Sequence, residues 1–208
     1  VLTAQNKNSD REQLGLDDIE RLAKDANAAM GAGFYGKAIA ILEHALAIQE
    51  KELGPDHPEV AWIISGLALP YYRQGLYSKA KPLLLRALEI REKALGPDHL
   101  TTANSLNNLA ELYRNQGLYN EAGPLHQRAL GIRVKALGEE HPDTATSLDN
   151  LASVYLAKGL YRKAEPLYLR SLAIKEKALG PDHSTTATSL NNLAELYRKK
   201  ALYNKAEP

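Results

Sequence analysis

One landmark, met five times at a fixed interval, constrains this chain more than any other feature. Gly33-Phe34-Tyr35 returns as Gly75-Leu76-Tyr77, Gly117-Leu118-Tyr119, Gly159-Leu160-Tyr161 and, with alanine in place of glycine, Ala201-Leu202-Tyr203, each starting 42 positions after the last. Leu53-Gly54, Leu95-Gly96, Leu137-Gly138 and Leu179-Gly180 keep that interval, as do His57, His99, His141 and His183. No insertion interrupts the register. Strict repetition at such a period means one supersecondary unit copied in series. A unit that short cannot bury its own apolar face, so the copies must stack.

Within a copy the apolar residues recur at helical spacing. Ala103, Leu106, Leu109, Ala110 and Tyr113 form one stripe, and Ala122, Leu125, Ala129, Ile132 and Ala136 form a second; the period near 3.6 selects helix over strand. Gly117 between them supplies the positive φ that ends a helix, and Leu118-Tyr119 pack the turn, which makes an antiparallel hairpin. Gly96-Pro97 closes the second helix, an αL cap followed by a residue that cannot continue it. Pro58 and Pro142 fit the first turn of the helices that follow. Ala68, Ala110, Ala152 and Ala194 on first helices, with Ala38, Ala80, Ala122, Ala164 and Ala206 on second helices, mark close backbone approach. The expected fold is all-α: a right-handed superhelical solenoid of antiparallel helix hairpins whose first helices line a concave wall.

This reading divides the chain into a polar leader, 1–16, and a single solenoid, 17–208. Its units run 17–58, 59–100, 101–142 and 143–184, with an incomplete unit at 185–208 in which a second helix should begin at Ala206. Asp17 with Glu20 forms a capping box for the first helix. An incomplete last unit leaves an apolar stripe exposed, so a homodimer through that C-terminal unit is one expectation and continuation in a longer protein is another.

Composition narrows the partners. Lys and Arg number 26 against 25 Asp and Glu, a net charge of +1, so no overall field draws the chain to nucleic acid or to anionic lipid. No window approaches the length of apolar sequence that spans a membrane, and the first ten residues lack the order of a secretion signal. The absence of cysteine excludes disulfide scaffolds and thiolate chemistry and fits a cytoplasmic location.

Leu106, Leu109-Ala110, Tyr113, Gly117, Tyr119, Ala122 and Ala129 stand at the spacing of the tetratricopeptide consensus, over essentially the whole chain. The 42-residue unit, with Arg-Ala-Leu-Glu-Ile-Arg-Glu-Lys-Ala-Leu-Gly-Pro-Asp-His at 86–99 and Leu-Asn-Asn-Leu-Ala at 106–110, resembles the repeats of kinesin light chains and their prokaryotic relatives. That resemblance implies adaptor or cargo binding, in which short peptide motifs, often an aromatic residue among acidic ones, lie in the groove. The chain departs from those proteins in lacking a long heptad-repeat coiled coil, which leaves a motor role unsupported.

First-helix residues outside the packing stripe should face the concave wall. They are Asn104, Asn107, Asn108, Glu111 and Arg114; then Thr146, Asp149, Asn150, Ser153 and Leu156; then Thr188, Asn191, Asn192, Glu195 and Arg198. The preceding unit offers Trp62, Ser65, Gly66, Leu69 and Tyr72. An asparagine amide can clamp the N–H and C=O of an extended peptide whatever its side chains. In the resembling family asparagines at this place touch bound peptide, which implies the same for Asn108, Asn150 and Asn192. The alternative is that these amides tie neighbouring units together. Arg114, Arg198 and Lys199 suit an acidic ligand, but Glu111, Glu195 and Asp149 alternate with them. Trp62 and Tyr72 would supply an apolar anchor pocket or else pack an interface.

No catalytic residue, cofactor or metal is expected. The four repeated histidines fall in the same loop of different units and cannot converge on one ion, so capping the next helix is their expected role. No phosphate loop, metalloprotease motif or activated nucleophile stands outside the repeat pattern. The second-helix charges His44, Arg86, Arg128 and Arg170, with Glu89, Glu92 and Glu176, read as outer faces carrying pairs along each helix. The functional expectation is a non-enzymatic scaffold that binds a protein or peptide. The alternative is a structural spacer or self-association module, or the sensor arm of a larger signalling protein.

Overall fold

A computed structural model of the protein describes residues 18–206, with side chains through Ala201. The leader, Asp17 of the expected capping box and the side chain of Ala206 lie outside the described residues. The described residues form nine helices and no strand. They are α1 (18–31), α2 (Tyr35–Leu53), α3 (Pro58–Arg73), α4 (Tyr77–Leu95), α5 (Leu100–Asn115), α6 (Tyr119–Leu137), α7 (Pro142–Ala157), α8 (Tyr161–Leu179) and α9 (Ser184–Ala206). No helix among them is long and apolar enough to cross a membrane. The chain divides into two compact units, Val1–Pro97 and Asp98–Pro208.

The first helices α1, α3, α5 and α7 end by the same device. At α5 the N–H of Gly117 donates to Arg114 O at 3.0 Å and that of Leu118 to Tyr113 O at 2.9 Å. These are the two bonds of a Schellman motif, and they need the positive φ of 75° that Gly117 adopts. The second helices end differently. Gly138 has φ 90° and ψ 167°, an extended left-handed conformation essentially confined to glycine, rather than the αL cap the sequence suggests. From there the chain runs into a histidine whose Nδ1 accepts from the backbone N–H two residues on. The distances are 3.2 Å for His57, 3.2 Å for His99, 3.1 Å for His141 and 3.2 Å for His183. The histidines are thus N-caps of α3, α5, α7 and α9, and Pro58 and Pro142 open their helices as expected.

In the unit containing α1 to α4, Ile19, Ala26, Leu42, Ala45, Ile63 and Leu67 join the first three helices, and Val60, Ala61, Ile64, Ala87 and Ile90 join α3 to α4. In the other unit Ala110, Ala122 and Val154 pack where α5, α6 and α7 meet. Ala145, Leu148 and Ile174 join α7 to α8, and Ala152, Leu156, Ala164, Tyr168, Leu193 and Leu196 carry the core into α9. The alanines expected at close approaches are almost fully buried from Ala38 to Ala164, and a larger side chain there would meet neighbours at once.

Four expectations need correction. The second-helix stripe runs through His126 and Arg133, both buried, while Ala136 is exposed. Polar residues hold two of the five buried positions of α6 because each finds a partner on a first helix. Arg86 and Arg170 do not pair along their own helices. Arg86 reaches Glu50 at 2.7 Å and the Pro55 carbonyl at 3.1 Å, and Arg170 reaches Glu139, so they tie consecutive hairpins; Lys93 with Glu89 does keep the along-helix spacing.

The remaining two corrections concern α9. No turn forms at Ala201-Leu202-Tyr203, because α9 runs unbroken for 23 residues from Ser184 to Ala206. Alanine pays the steric penalty of left-handed backbone that glycine escapes, and it is the best helix former, so the chain continues where the other copies fold back. Ala194, expected at a close approach, is exposed on α9.

Candidate functional site

In the unit 98–208 the residues anticipated for ligand contact lie on α5, α7 and α9, the first helices of their hairpins. A polar layer supplied by the second helices supports them from beneath. Arg133 of α6 is buried and its guanidinium donates to Ser147 Oγ on α7 and to Asn104 Oδ1 on α5, the latter at 2.7 Å. Burial pulls its pKa below the usual guanidinium value, and the Asp143 carboxylate opposes that shift. One repeat later Lys175 of α8 donates to Asp149 Oδ2 on α7 at 2.6 Å and to Ser189 Oγ on α9 at 2.9 Å. Ser189 itself donates to the same Asp149 oxygen at 2.6 Å, while Asp149 Oδ1 is buried without a hydrogen-bond partner.

His126 and Tyr168 occupy the other repeated inward position. His126 Nδ1 lies 2.9 Å from Asn107 Oδ1, a carbonyl oxygen, which makes the ring nitrogen the donor. The Tyr168 hydroxyl lies 3.0 Å from Ser153 Oγ, which donates to the Asp149 backbone carbonyl at 2.9 Å.

Glu111 is held from two sides. Arg114 grips it as a fork, with Nη2 at 2.7 Å from Oε2, and His126 Nε2 stands 3.3 Å from Oε1 without the alignment of a hydrogen bond. Burial pushes the Glu111 carboxyl up, but the His126 ring and the Arg114 hydrogen bonds and charge outweigh it and hold the pKa at about 2. Arg198 pairs with Glu195 at 2.7 Å, and Lys199 lies 3.7 Å from the same carboxylate. The three cations anticipated for an acidic ligand are therefore engaged by carboxylates of their own helices.

The asparagines divide into two sets. Exposed Asn104 and half-buried Asn107 accept from second-helix side chains, and Asn150 Nδ2 donates to Asn107 Oδ1 at 2.9 Å across two hairpins. Asn108 and Asn191 are exposed and Asn192 is half-buried, and none of these three amides hydrogen-bonds to another described residue. Asn150 keeps its carbonyl oxygen and one N–H for another partner. In the other unit Trp62 is 53% exposed and lines a cavity of about 300 Å³ with Ile19, Glu20, Gln49, Glu59 and Ile63. Tyr72 sits at the far end of α3, its ring 5.7 Å from that of Tyr77, so the two aromatics do not share a pocket.

Sequence reasoning missed the supporting layer of His126, Arg133, Tyr168 and Lys175. A signal for part of it was present: Arg91, Arg133 and Lys175 are basic residues at the repeat interval on an otherwise apolar stripe. Such a pattern calls for a buried partner.

Stacked helix hairpins carrying polar amides on their first helices define a repeat scaffold. The tetratricopeptide repeat profile matches residues 26–93, 65–122, 101–177 and 150–208, and the chain belongs to that family. Among solved structures it is similar to nearly identical TPR-like repeats of a Podosopora anserina kinesin light chain candidate, at 29% identity and a TM-score of 0.75, covering 91% of this chain and 90% of that one. A variant of that protein matches at 29% identity and a TM-score of 0.77, covering 91% and 89%. BtubC (BKLC) from P. vanneervenii shares the fold, with a TM-score of 0.78 at 23% identity over 99% of this chain and 85% of that one. No curated protein matches the sequence. Tetratricopeptide repeat proteins generally mediate protein–protein interaction.

Proposed function

We propose that the chain is a non-enzymatic cytoplasmic adaptor that holds an extended peptide segment of a partner protein along the first-helix face of α5, α7 and α9. The observation that carries this reading is the state of three amides one repeat apart. Asn108 and Asn192 have no partner among the described residues, and Asn150 is fixed in place by Asn107 while its carbonyl oxygen and second N–H stay open. A fixed amide costs less entropy to engage than a mobile one, and amides at repeat spacing can grip successive peptide groups without regard to side chain. Because Arg114 and Arg198 are already paired with carboxylates, the ligand is selected by backbone shape more than by negative charge.

Fluorescence anisotropy with aromatic-acidic, basic and neutral peptide panels tests this. Asn108→Ala with Asn150→Ala should weaken saturable binding by roughly tenfold or more, while loss of the Asn150–Asn107 bond costs about 1 kcal/mol of stability and leaves the protein folded. Binding that survives the double substitution would refute the ladder.

A second reading, self-association, draws on α9. Ala187, Leu190, Ala194 and Tyr197 are exposed, whereas their counterparts Ala103, Leu106 and Ala110 are fully buried and Tyr113 is half-buried. Sedimentation of the wild type beside Leu190→Glu separates the readings: a dimer that the substitution dissociates, with no peptide bound by any panel, favours self-association.

A further inference from the structure

The cavity beside Trp62 occupies the place where later hairpins insert a cation. Gln49 is the repeat counterpart of Arg91, Arg133 and Lys175, all of them buried. In the hairpin of α5 and α6 the guanidinium of Arg133 fills a cage made by Asn104, Ser147 and the charge of Asp143. Subtracting 84 from each number gives Glu20, Ile63 and Glu59 around Gln49, and these residues line the cavity of about 300 Å³. The cage thus recurs with its cation missing, with Ile63 in place of the Ser147 hydroxyl, and with two carboxylates where the filled copy has one carboxylate and one amide.

Gln49 itself is 2% exposed, and its Oε1 is buried without any hydrogen-bond partner. Neither Glu20 nor Glu59 forms an ion pair with another described residue. A buried acceptor left unmade is costly, and no donor among the described residues satisfies it.

We propose that this cavity takes a guanidinium from outside the chain, the side chain of an arginine on a partner peptide. Arginine fits better than lysine. Its planar fork can meet the Glu20 and Glu59 carboxylates together, as Arg133 reaches two acceptors, and its flat face can lie against the exposed Trp62 indole. The proposal rests on the adaptor reading only for the ligand's being a peptide.

Trp62 is the sole tryptophan of the chain, so its emission reports the cavity directly. The probes are two blocked glycine pentapeptides, one with arginine at the centre and one with citrulline, its uncharged isostere. The arginine peptide should change Trp62 emission saturably, and the citrulline peptide should bind about tenfold more weakly or worse. Glu20→Gln, at an exposed position, should weaken the arginine peptide to a similar degree. Gln49→Arg supplies the cation from within and should abolish the response while raising Tm. Equal responses to both peptides, no response at all, or unchanged binding by folded Gln49→Arg would overturn the proposal. Asn108→Ala with Asn150→Ala should leave the Trp62 response intact: if partner-peptide binding falls there while Trp62 still responds, both readings stand, and if only the Trp62 response is absent, the cage alone fails.

Discussion

Lys175 Nζ lies 2.6 Å from Asp149 Oδ2, with only 4% and 6% of the two side chains exposed, and Ser189 joins the pair from a third helix. The cost of withdrawing both charges from water is offset only while both are present. Lys175→Met alone or Asp149→Asn alone should therefore destabilise the protein by about 3–5 kcal/mol, because each leaves a partner unmatched. The double substitution should cost clearly less than the sum, as urea titrations of all four proteins would show.

Glu111 links stability to acidity. Its folded pKa of about 2 lies below the 4.5 of the free side chain, so its stabilising contribution is complete above pH 4.5 and disappears as pH falls toward 2. The full contribution is on the order of 3 kcal/mol. Glu111→Gln should flatten the fall in stability across that window, measured by denaturant unfolding at successive pH values.

The histidine caps predict a small, local effect. His99→Ala removes the acceptor that the Thr101 N–H meets at 3.2 Å and should cost about 1 kcal/mol, whereas His99→Asp should retain the cap. Thermal melts of the two variants give the comparison.

Turn glycines should respond to backbone strain alone. A Cβ built on Gly117 meets nothing within 4 Å, yet its φ is 75°. Gly117→Ala should then cost about 1–2 kcal/mol with no steric contribution. Ala201→Gly should act in the opposite place, loosening α9 by about 1 kcal/mol and speeding amide hydrogen exchange after residue 201.

The hairpins, their glycine turns and their alanine contacts were legible in the sequence because each is specified by residues within one copy. The histidine caps were legible for the same reason. What was not legible depends on differences between copies. Asn107, Asp149 and Asn191 share a repeat position, yet one accepts from His126, one is buried under Lys175 and one is exposed. Which it is depends on the second-helix residue beneath, and a reading of first helices by themselves does not include that residue. The unbroken α9 was not legible because the Leu-Tyr landmark is kept at 202–203, while Ala201 stands where the other copies place a glycine of positive φ.

Packing and direction are therefore encoded by separate residues in this array. The apolar stripe sets how a helix is recognised by its neighbours, and one small residue sets whether the next helix comes back to meet it. Duplication of a gene segment copies both together, yet the two can drift apart: Ala201 stands where four copies keep glycine, while the apolar stripe of α9 repeats that of α5.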